Sequence, residues 1–207
     1  SISGTWFSKS VVDIHLLIAD QPLLISNCTF TGSESEPVTY PLLSLLSIRE
    51  PTVVEHSSFQ HGPASDGNHI LMNTLGLISI NDCHFDTTLS TTSIQVTNSD
   101  SFTLLHSTFI HLRSSINGTM LHLASSFNID VENVTVTQSG QVGDYGDYLI
   151  SILGLLGEQV QLRQLRGSQL RVNKGLLGFI SPPFGNPAVL VEECVFDKIV
   201  LTNPGGS

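Results

Sequence analysis

The stretch ISINDCHF, residues 78–85, decides the fold. Its two isoleucines, Ile78 and Ile80, alternate with polar residues, and an alternation of period two is typical of a strand with one buried face. Asp82 follows at the fifth position, and aspartate and asparagine tolerate turn and left-handed backbone conformations. The alternation then resumes with a small residue and the bulky Phe85. The octet therefore predicts two short strands that meet at a sharp bend.

The same octet recurs along the chain. Its copies are LLISNCTF (23–30), TVVEHSSF (52–59), ISINDCHF (78–85), FTLLHSTF (102–109), IDVENVTV (129–136), VQLRQLRG (160–167) and VLVEECVF (189–196). Consecutive copies are spaced by 24 to 31 residues, with a mean near 28. A fixed period of this size indicates a repeat architecture, because each unit is one supersecondary element.

A further short apolar segment follows each copy after a polar loop, for example HILM (69–72) or YLISIL (148–153). These segments are too short for ordinary helices, so each unit holds about three short strands. No single unit can bury its interior face, but units stacked about 4.8 Å apart can. We therefore predict an all-β fold, a right-handed parallel β-helix solenoid of about seven to eight coils. The hand follows from the rule that parallel crossovers are nearly always right-handed.

Stacking would place the bulky eighth residues of the octets one above another. They should form an interior ladder, whose members are Phe30, Phe59, Phe85, Phe109, Val136 and Phe196.

The length of 207 residues suits one domain, which we place at residues 1–202, with a linker-like tail at 203–207. No amphipathic capping helix is evident, and repeat arrays normally need polar caps. We therefore expect a segment of a longer solenoid that can associate end to end with further coils. The net charge of −10, from 18 acidic and 8 basic residues, opposes binding to nucleic acid. No apolar run approaches the roughly 20 residues of a membrane span, so we expect no membrane insertion.

The octet resembles the repeats of right-handed parallel β-helix proteins of the pectate-lyase-like type. The likeness rests on the apolar pair, the Asn-like corner, and the small residue and phenylalanine that follow it. The pattern is also similar to repeat regions of large secreted or cell-surface proteins of bacteria and protists. The resemblance covers about residues 20–200 and implies an extracellular or cell-surface location. This architecture supports lyases, hydrolases and adhesins alike, so it implies a fold rather than one activity.

All three cysteines, Cys28, Cys83 and Cys194, occupy the sixth position of an octet. The first two lie two coils apart, which is roughly twice 4.8 Å and exceeds the limit of about 7 Å between disulfide-bonded Cα atoms. We expect three free, buried and unreactive thiols.

The fifth position holds His56, Asp82 and His106 in three consecutive copies, which would form a column at the corner. Imidazoles and a carboxylate can bind zinc, but a line with steps of about 4.8 Å does not converge on one ion at about 2.1 Å. We therefore expect no metal and no cofactor. The column is predicted to be a polar corner that responds to pH. Protonation of His56 and His106 would change its charge, and the carboxylate of Asp82 favours the charged form of the imidazoles.

Two further features concern the outer surface. The outward seventh position is a hydroxyl residue in four of seven copies, which indicates a flat face able to contact a surface, although threonine also simply suits strands. Three asparagines, Asn27, Asn117 and Asn133, begin N-x-[ST] triplets, which are glycosylation acceptors in a secreted protein.

Catalytic carboxylates are not evident. Glycosidases need two carboxylates about 5 to 9.5 Å apart. The acid pairs are Glu192 with Glu193, Asp144 with Asp147, and Glu34 with Glu36, and none forms a column beside a matching basic residue. A local basic cluster could bind an anionic group or form salt bridges between coils; it comprises Arg163, Arg166, Arg171 and Lys174. We predict no catalytic residues, and the sequence favours a protein that is not an enzyme.

The sequence thus predicts a non-catalytic extracellular β-helix segment with a structural, adhesive or carbohydrate-binding role. Its expected partners are carbohydrate or other surface proteins. Two alternatives stay open: a polysaccharide lyase or glycoside hydrolase of the pectate-lyase-like type, and a surface binder that uses the threonine-bearing face.

Overall fold

The computed structural model describes most of the chain. The described residues are 1–8, 12–15, 22–33, 40–61, 68–87, 90–110, 114–137, 148–154, 159–172, 174–180 and 187–201. Within these ranges all regular structure is β-strand, and no helix occurs that could span a membrane. The predicted tail at 203–207 lies outside the described residues.

Three long parallel sheets form the sides of the molecule. Sheet A contains β1 (Ile2–Ser3), β4 (Leu23–Ser26), β7 (Thr52–Glu55), β10 (Leu77–Asn81), β13 (Ser101–Leu105), β16 (Asn128–Glu132), β19 (Gln159–Arg163) and β23 (Ala188–Glu192). Sheet B contains β2 (Trp6–Ser8), β5 (Thr29–Thr31), β8 (Ser58–His61), β11 (His84–Thr87), β14 (Thr108–Ile110), β17 (Thr135–Thr137), β20 (Arg166–Ser168) and β24 (Val195–Asp197). Sheet C contains β3 (Val12–His15), β6 (Leu43–Ile48), β9 (Ile70–Thr74), β12 (Ser90–Thr97), β15 (Ser114–Ala124), β18 (Tyr148–Leu153) and β22 (Gly175–Ile180). A small fourth sheet pairs β21 (Arg171–Val172) with β25 (Val200–Leu201).

The chain visits sheet A, then sheet B, then sheet C, and rises by one strand at each return. Within the three long sheets, every strand between the two end strands pairs in parallel with the strands of the coils before and after it. The predicted all-β parallel solenoid is therefore confirmed, while the handedness of its coil stays a prediction.

The structure adds a first coil that the octet search does not find. Its sequence, SISGTWF (1–7), is a truncated copy in which Ile2 pairs with Ile25 and Phe7 pairs with Phe30. From Ile2 to Val191, seven steps between equivalent residues span 189 residues, a mean of 27. The predicted mean near 28 is slightly high because it omits this shorter first step.

The corner between sheets A and B has the same backbone conformation in every copy. The fifth residue always has a positive φ, between 48° and 62°, in Gly4, Asn27, His56, Asp82, His106, Asn133, Gln164 and Glu193. This left-handed conformation turns the chain sharply from one sheet into the next without an inserted loop. The polar residue of the octet is thus the bend that the sequence predicts.

The sixth residue of the octet closes the corner with hydrogen bonds. The Ser57 hydroxyl donates to the carbonyl of Glu55 at 2.8 Å and accepts the backbone N–H of Cys28 at 3.1 Å. Ser107 repeats the arrangement two coils further, with the backbone N–H of Cys83 as the donor. A small polar side chain at this position therefore satisfies backbone groups that a tight corner would otherwise leave unpaired.

The interior is a stack of phenylalanine rings. Ring centroids are separated by 5.0 Å for Phe7 and Phe30, 4.7 Å for Phe30 and Phe59, 5.1 Å for Phe59 and Phe85, and 4.5 Å for Phe85 and Phe109. The rings of these pairs are inclined by no more than 17°, and stacked aromatic pairs contribute to stability beyond the burial of their area.

The ladder changes character above Phe109. Val136 is buried in the next coil, and Phe196 in the last coil is partly buried. Gly167 stands between them, and a Cβ atom there would lie 2.5 Å from the Phe196 ring and 2.7 Å from the side chain of Leu170. These neighbours occupy the space that an aromatic residue would need, which explains the glycine at an otherwise bulky position.

Candidate functional site

The corner column lies on the surface along the edge between sheets A and B. The Nδ1 atom of His56 is 3.7 Å from Oδ2 of Asp82, and both side chains are about half exposed. His106 instead makes a hydrogen bond through Nδ1 with Oδ1 of Asn81 at 3.2 Å. The three predicted residues are thus brought into one line, with close contact between the first two and a different partner for the third.

A cleft of about 380 Å³ follows this edge across three coils. The side chains that line it are mostly hydrogen-bonding groups: Asn27, Thr29, His56, Ser58, Asp82 and His84. Together they offer amide, hydroxyl, imidazole and carboxylate groups over a short distance. Hydrogen-bonding side chains therefore make up most of the residues that line this open cleft.

An exposed tryptophan extends this surface. Trp6 is 71% exposed, and its indole Nε1–H donates to Oγ1 of Thr31 at 3.2 Å. Trp6 pairs in register with Thr29, which lines one side of the polar cleft, and its indole contacts Thr31 on the outer face of sheet B. We call the combined surface the Trp6 surface. It is formed by Trp6, Thr29, Ser58 and His84, together with the corner residues of the cleft.

The sequence does not single out Trp6. It belongs to the truncated first copy, which lacks the leading part of the octet. A search for the outward residue that directly precedes an interior phenylalanine would have found it, because Trp6 precedes Phe7 as Thr29 precedes Phe30.

A second cleft, of about 450 Å³, lies on sheet B towards the last coil. Arg166 is at its centre between Thr135 and Val195. At its corner the Gln164 side-chain amide donates to the carboxylate of Glu193 at 2.9 Å. This cleft therefore mixes one exposed cation with acidic, hydroxyl and apolar groups.

The seventh-position residues form one registered column on the outer face of sheet B. Their order is Trp6, Thr29, Ser58, His84, Thr108, Thr135, Arg166 and Val195. His84 and Arg166 interrupt the hydroxyl array, so its regular stretches are two residues long.

Arg163 contributes to a salt bridge on the outer face of sheet A. Its Nη2 contacts both carboxylate oxygens of Asp130 at 3.1 and 3.2 Å and Oε2 of Glu132 at 2.6 Å. The hydrogen bond to Asp130, together with the charges of both acids, raises the pKa of Arg163. Arg163, a member of the predicted basic cluster, therefore forms a salt bridge between coils.

The acid pairs do not assemble into a facing couple in the described part of the chain. Glu193 turns at the corner with φ of 51° and accepts the Gln164 amide, whereas Glu192 belongs to sheet A. The other pairs, at 34, 36, 144 and 147, lie outside the described residues. Among the residues that the structure describes, no group of three His, Cys, Asp or Glu side chains is arranged to hold a metal ion.

Two of the three predicted glycosylation asparagines are at exposed corners. Asn27 and Asn133 have φ of 52° and 51°. Asn117 belongs to β15, and its side chain lies outside the described part of the structure.

All three cysteines are free thiols. Cys28 and Cys83 are buried, and burial raises the pKa of Cys83 to about 12. Cys194 is only half-buried, contrary to the expectation for all three, because among the described residues no further strand pairs with β23 or β24 on its outer side.

No family model, curated protein or solved structure matches this chain. The fold and its surface define the class, which is a parallel β-solenoid protein with exposed corner clefts. The resemblance to the pectate-lyase-like type stays a prediction beyond that class.

Proposed function

We propose that this chain is a non-catalytic β-solenoid that binds carbohydrate at the Trp6 surface, in an adhesive or structural role outside the cell. The observation that carries this proposal is the position of Trp6. A tryptophan 71% exposed and fixed by a hydrogen bond to Thr31 stands next to a cleft of polar side chains.

The chemistry of a sugar fits such a surface. A pyranose ring has an apolar face of C–H groups and a rim of hydroxyl groups. An indole offers a flat apolar surface, while amide, hydroxyl and imidazole groups donate and accept hydrogen bonds. Trp6 would therefore stack on one sugar ring, and the groups at the corner would bind hydroxyls of the next.

The rigid sheet supports binding by lowering its entropic cost. Thr29 and Ser58 belong to β5 and β8, and neighbouring coils hold them in register through backbone hydrogen bonds. Side chains on a preformed strand lose less freedom upon binding than side chains on a free loop.

The non-catalytic part of the proposal is supported by the acidic groups. At the Trp6 surface Asp82 is the one carboxylate among the lining residues, and it lies at ion-pair distance from His56. A glycosidase needs two carboxylates across the bond that it cleaves. We therefore expect binding without cleavage.

Intrinsic fluorescence provides a direct test, because Trp6 is the single tryptophan of the chain. The purified protein would be titrated with cello-, xylo-, manno- and galacturono-oligosaccharides. We expect at least one series to change the emission of Trp6 saturably and Trp6→Ala to abolish binding in calorimetry.

Tyr40→Ala is the matched control, because Tyr40 is an aromatic side chain that is 65% exposed and does not line the cleft. Binding should be unchanged in this variant. Loss of binding in both variants, or no binding by the original chain across a broad glycan array, would refute the proposal. Release of shortened sugars during the same incubation would instead support the lyase or hydrolase alternative.

A further inference from the structure

The fixed charges at the Trp6 surface are negative. Asp82 is the one acid among the residues that line its cleft, and neither lysine nor arginine is among them. Two further acids lie close by along the chain. Glu55 ends β7 directly before the corner residue His56, and Asp86 lies two residues beyond His84 in β11, on the same outward side of the strand. A ligand that carries positive charge therefore finds opposite charges here.

The carboxylate of Asp82 is open to a ligand. Its side chain is 45% exposed, because the left-handed backbone at φ of 49° places it on the corner between sheets A and B. Among the described residues its charged neighbour is Nδ1 of His56 at 3.7 Å, which is longer than a hydrogen bond of about 2.7–3.2 Å. The carboxylate oxygens can therefore accept charge-assisted hydrogen bonds from a bound ammonium group.

Trp6 adds a second group that attracts a cation. A cation over the face of an indole is held by the electrons of the ring, and this indole is exposed and fixed by its hydrogen bond to Thr31. The registered column from Trp6 to His84 spans three coil steps, which is roughly 14 Å at about 4.8 Å per step. One positive charge cannot reach both Trp6 and Asp82, so the complementary ligand carries several.

The charge of the whole chain acts in the same direction. With its histidines neutral the chain has a formal net charge of −10, from 18 acidic and 8 basic residues. A field of this sign raises the local concentration of cationic ligands and repels polyanions. Acidic sugars are therefore disfavoured, and uncharged sugars gain nothing from the field.

We propose that the ligand of the Trp6 surface is an oligosaccharide of amino sugars that carry free ammonium groups. This inference rests on the carbohydrate binding proposed above and names the class of sugar. The carboxylate of Asp82 accepts hydrogen bonds from the ammonium group of one sugar residue. Trp6 stacks on another residue of the same chain, where a second ammonium group is attracted by the indole.

Three tetrasaccharides with one β-1,4-linked backbone test the proposal, because they differ only at carbon 2 of each ring. Cellotetraose has a hydroxyl group there, the tetramer of N-acetylglucosamine has an acetamide, and the tetramer of glucosamine has an amino group. Calorimetry at pH 7 and low salt should show the glucosamine tetramer binding at least about fivefold more tightly than cellotetraose. The acetylated tetramer should lack this advantage, and about 0.5 M salt should reduce it to less than about twofold.

Asp82→Asn tests the role of the carboxylate. Asparagine tolerates the left-handed backbone and has nearly the same shape, so circular dichroism should be unchanged. The ratio of the dissociation constants of cellotetraose and the glucosamine tetramer should fall below about twofold in this variant. Glu193→Gln is the matched control, because it removes the same charge at the equivalent corner position four coils away, outside the polar cleft. It should keep the ratio of the original chain.

The outcomes separate this inference from the proposed function. If none of the three tetrasaccharides binds, carbohydrate binding itself is refuted. If all three bind equally, or if Asp82→Asn keeps the original ratio, the Trp6 surface binds carbohydrate without preference for amino sugars and this inference is overturned. Tetralysine carries ammonium groups without sugar rings and should bind more weakly than the glucosamine tetramer. Equal binding of the two would show that charge alone is recognised and would also overturn the inference.

Discussion

The ring of Phe59 lies parallel to the ring of Phe30, with centroids 4.7 Å apart and planes inclined by 1°. Both rings are fully buried, and Phe85 continues the stack on the other side of Phe59. From Phe7 to Phe109, one ring in each coil thus packs on the ring of the next coil, which makes the stability of these coils depend on their neighbours.

Truncating the ladder at its centre should therefore be costly. We expect Phe59→Ala to lower the free energy of unfolding by about 3–5 kcal/mol, because it removes a buried ring and leaves a cavity between two others. Urea unfolding followed by circular dichroism measures the change. Phe127→Ala, at a phenylalanine that is 45% exposed, should cost less than about 1 kcal/mol, and equal losses in both variants would contradict the importance of the stack.

The octet predicts the parts of the fold that repeat. Ile78, Asp82 and Phe85 supply the buried strand, the bend and the ladder. These features recur because each coil has to bury the same interior face against its neighbours. The first coil escapes such a search because SISGTWF retains little more than Ile2 and Phe7. Gly167 also breaks the pattern, and its reason is found only in the positions of Phe196 and Leu170.

The corner offers a test of backbone conformation. Gln164 has φ of 54°, a conformation that costs about 1–2 kcal/mol for ordinary residues and more for branched side chains. We expect Gln164→Val to lower the free energy of unfolding by at least about 1 kcal/mol in thermal or urea unfolding.

Two variants separate this cost from lost contacts. Gln164→Asn shortens the side chain that bonds Glu193 but tolerates the left-handed conformation, so it should destabilise less than Gln164→Val. Gln161→Val, at an extended position of β19, the strand that precedes the corner, should be nearly neutral because valine suits strands. A Gln161→Val variant as unstable as Gln164→Val would show that the backbone conformation is not the cause.

The candidate site is less predictable from sequence than the fold. The corner column of His56, Asp82 and His106 follows from the repeat, but its pairing does not, since His106 bonds Asn81 rather than Asp82. The position of Trp6 beside the cleft depends on a three-dimensional neighbour, Thr29, that is 23 residues away in the chain. Contacts between coils of different length are not visible in a single octet.

Burial of a histidine makes stability depend on pH. Burial lowers the pKa of His122 below its usual value of 6.5, and its Nδ1 is 3.3 Å from Oγ of Ser151. As pH falls below about 6.5, the unfolded chain binds a proton that folded His122 does not, so the folded state loses stability. Once the pH is below the lowered pKa of folded His122, the free energy of unfolding falls no further from this cause. Above pH 7.5 this contribution to the pH dependence is absent.

Urea unfolding at pH 7.5 and pH 5.5 measures this contribution. The difference in unfolding free energy between the two pH values should be smaller in His122→Gln than in the original chain. Ser151→Ala should keep the original difference, because burial rather than the hydroxyl contact lowers the pKa. An unchanged difference in His122→Gln would exclude this histidine as a source of the pH dependence.

Thiol reactivity should distinguish the cysteines by their place in the solenoid. Burial raises the pKa of Cys83 to about 12, so at pH 8 the thiol is protonated, and the side chain is also shielded from reagents. Cys194 is half-buried in the last coil. We expect iodoacetamide at pH 8 to modify Cys194 first and to leave Cys83 unmodified in the folded protein, as mapped by mass spectrometry. Unfolding in guanidinium chloride should make all three thiols react, which provides the control, and rapid modification of Cys83 without denaturant would contradict its burial in the coil.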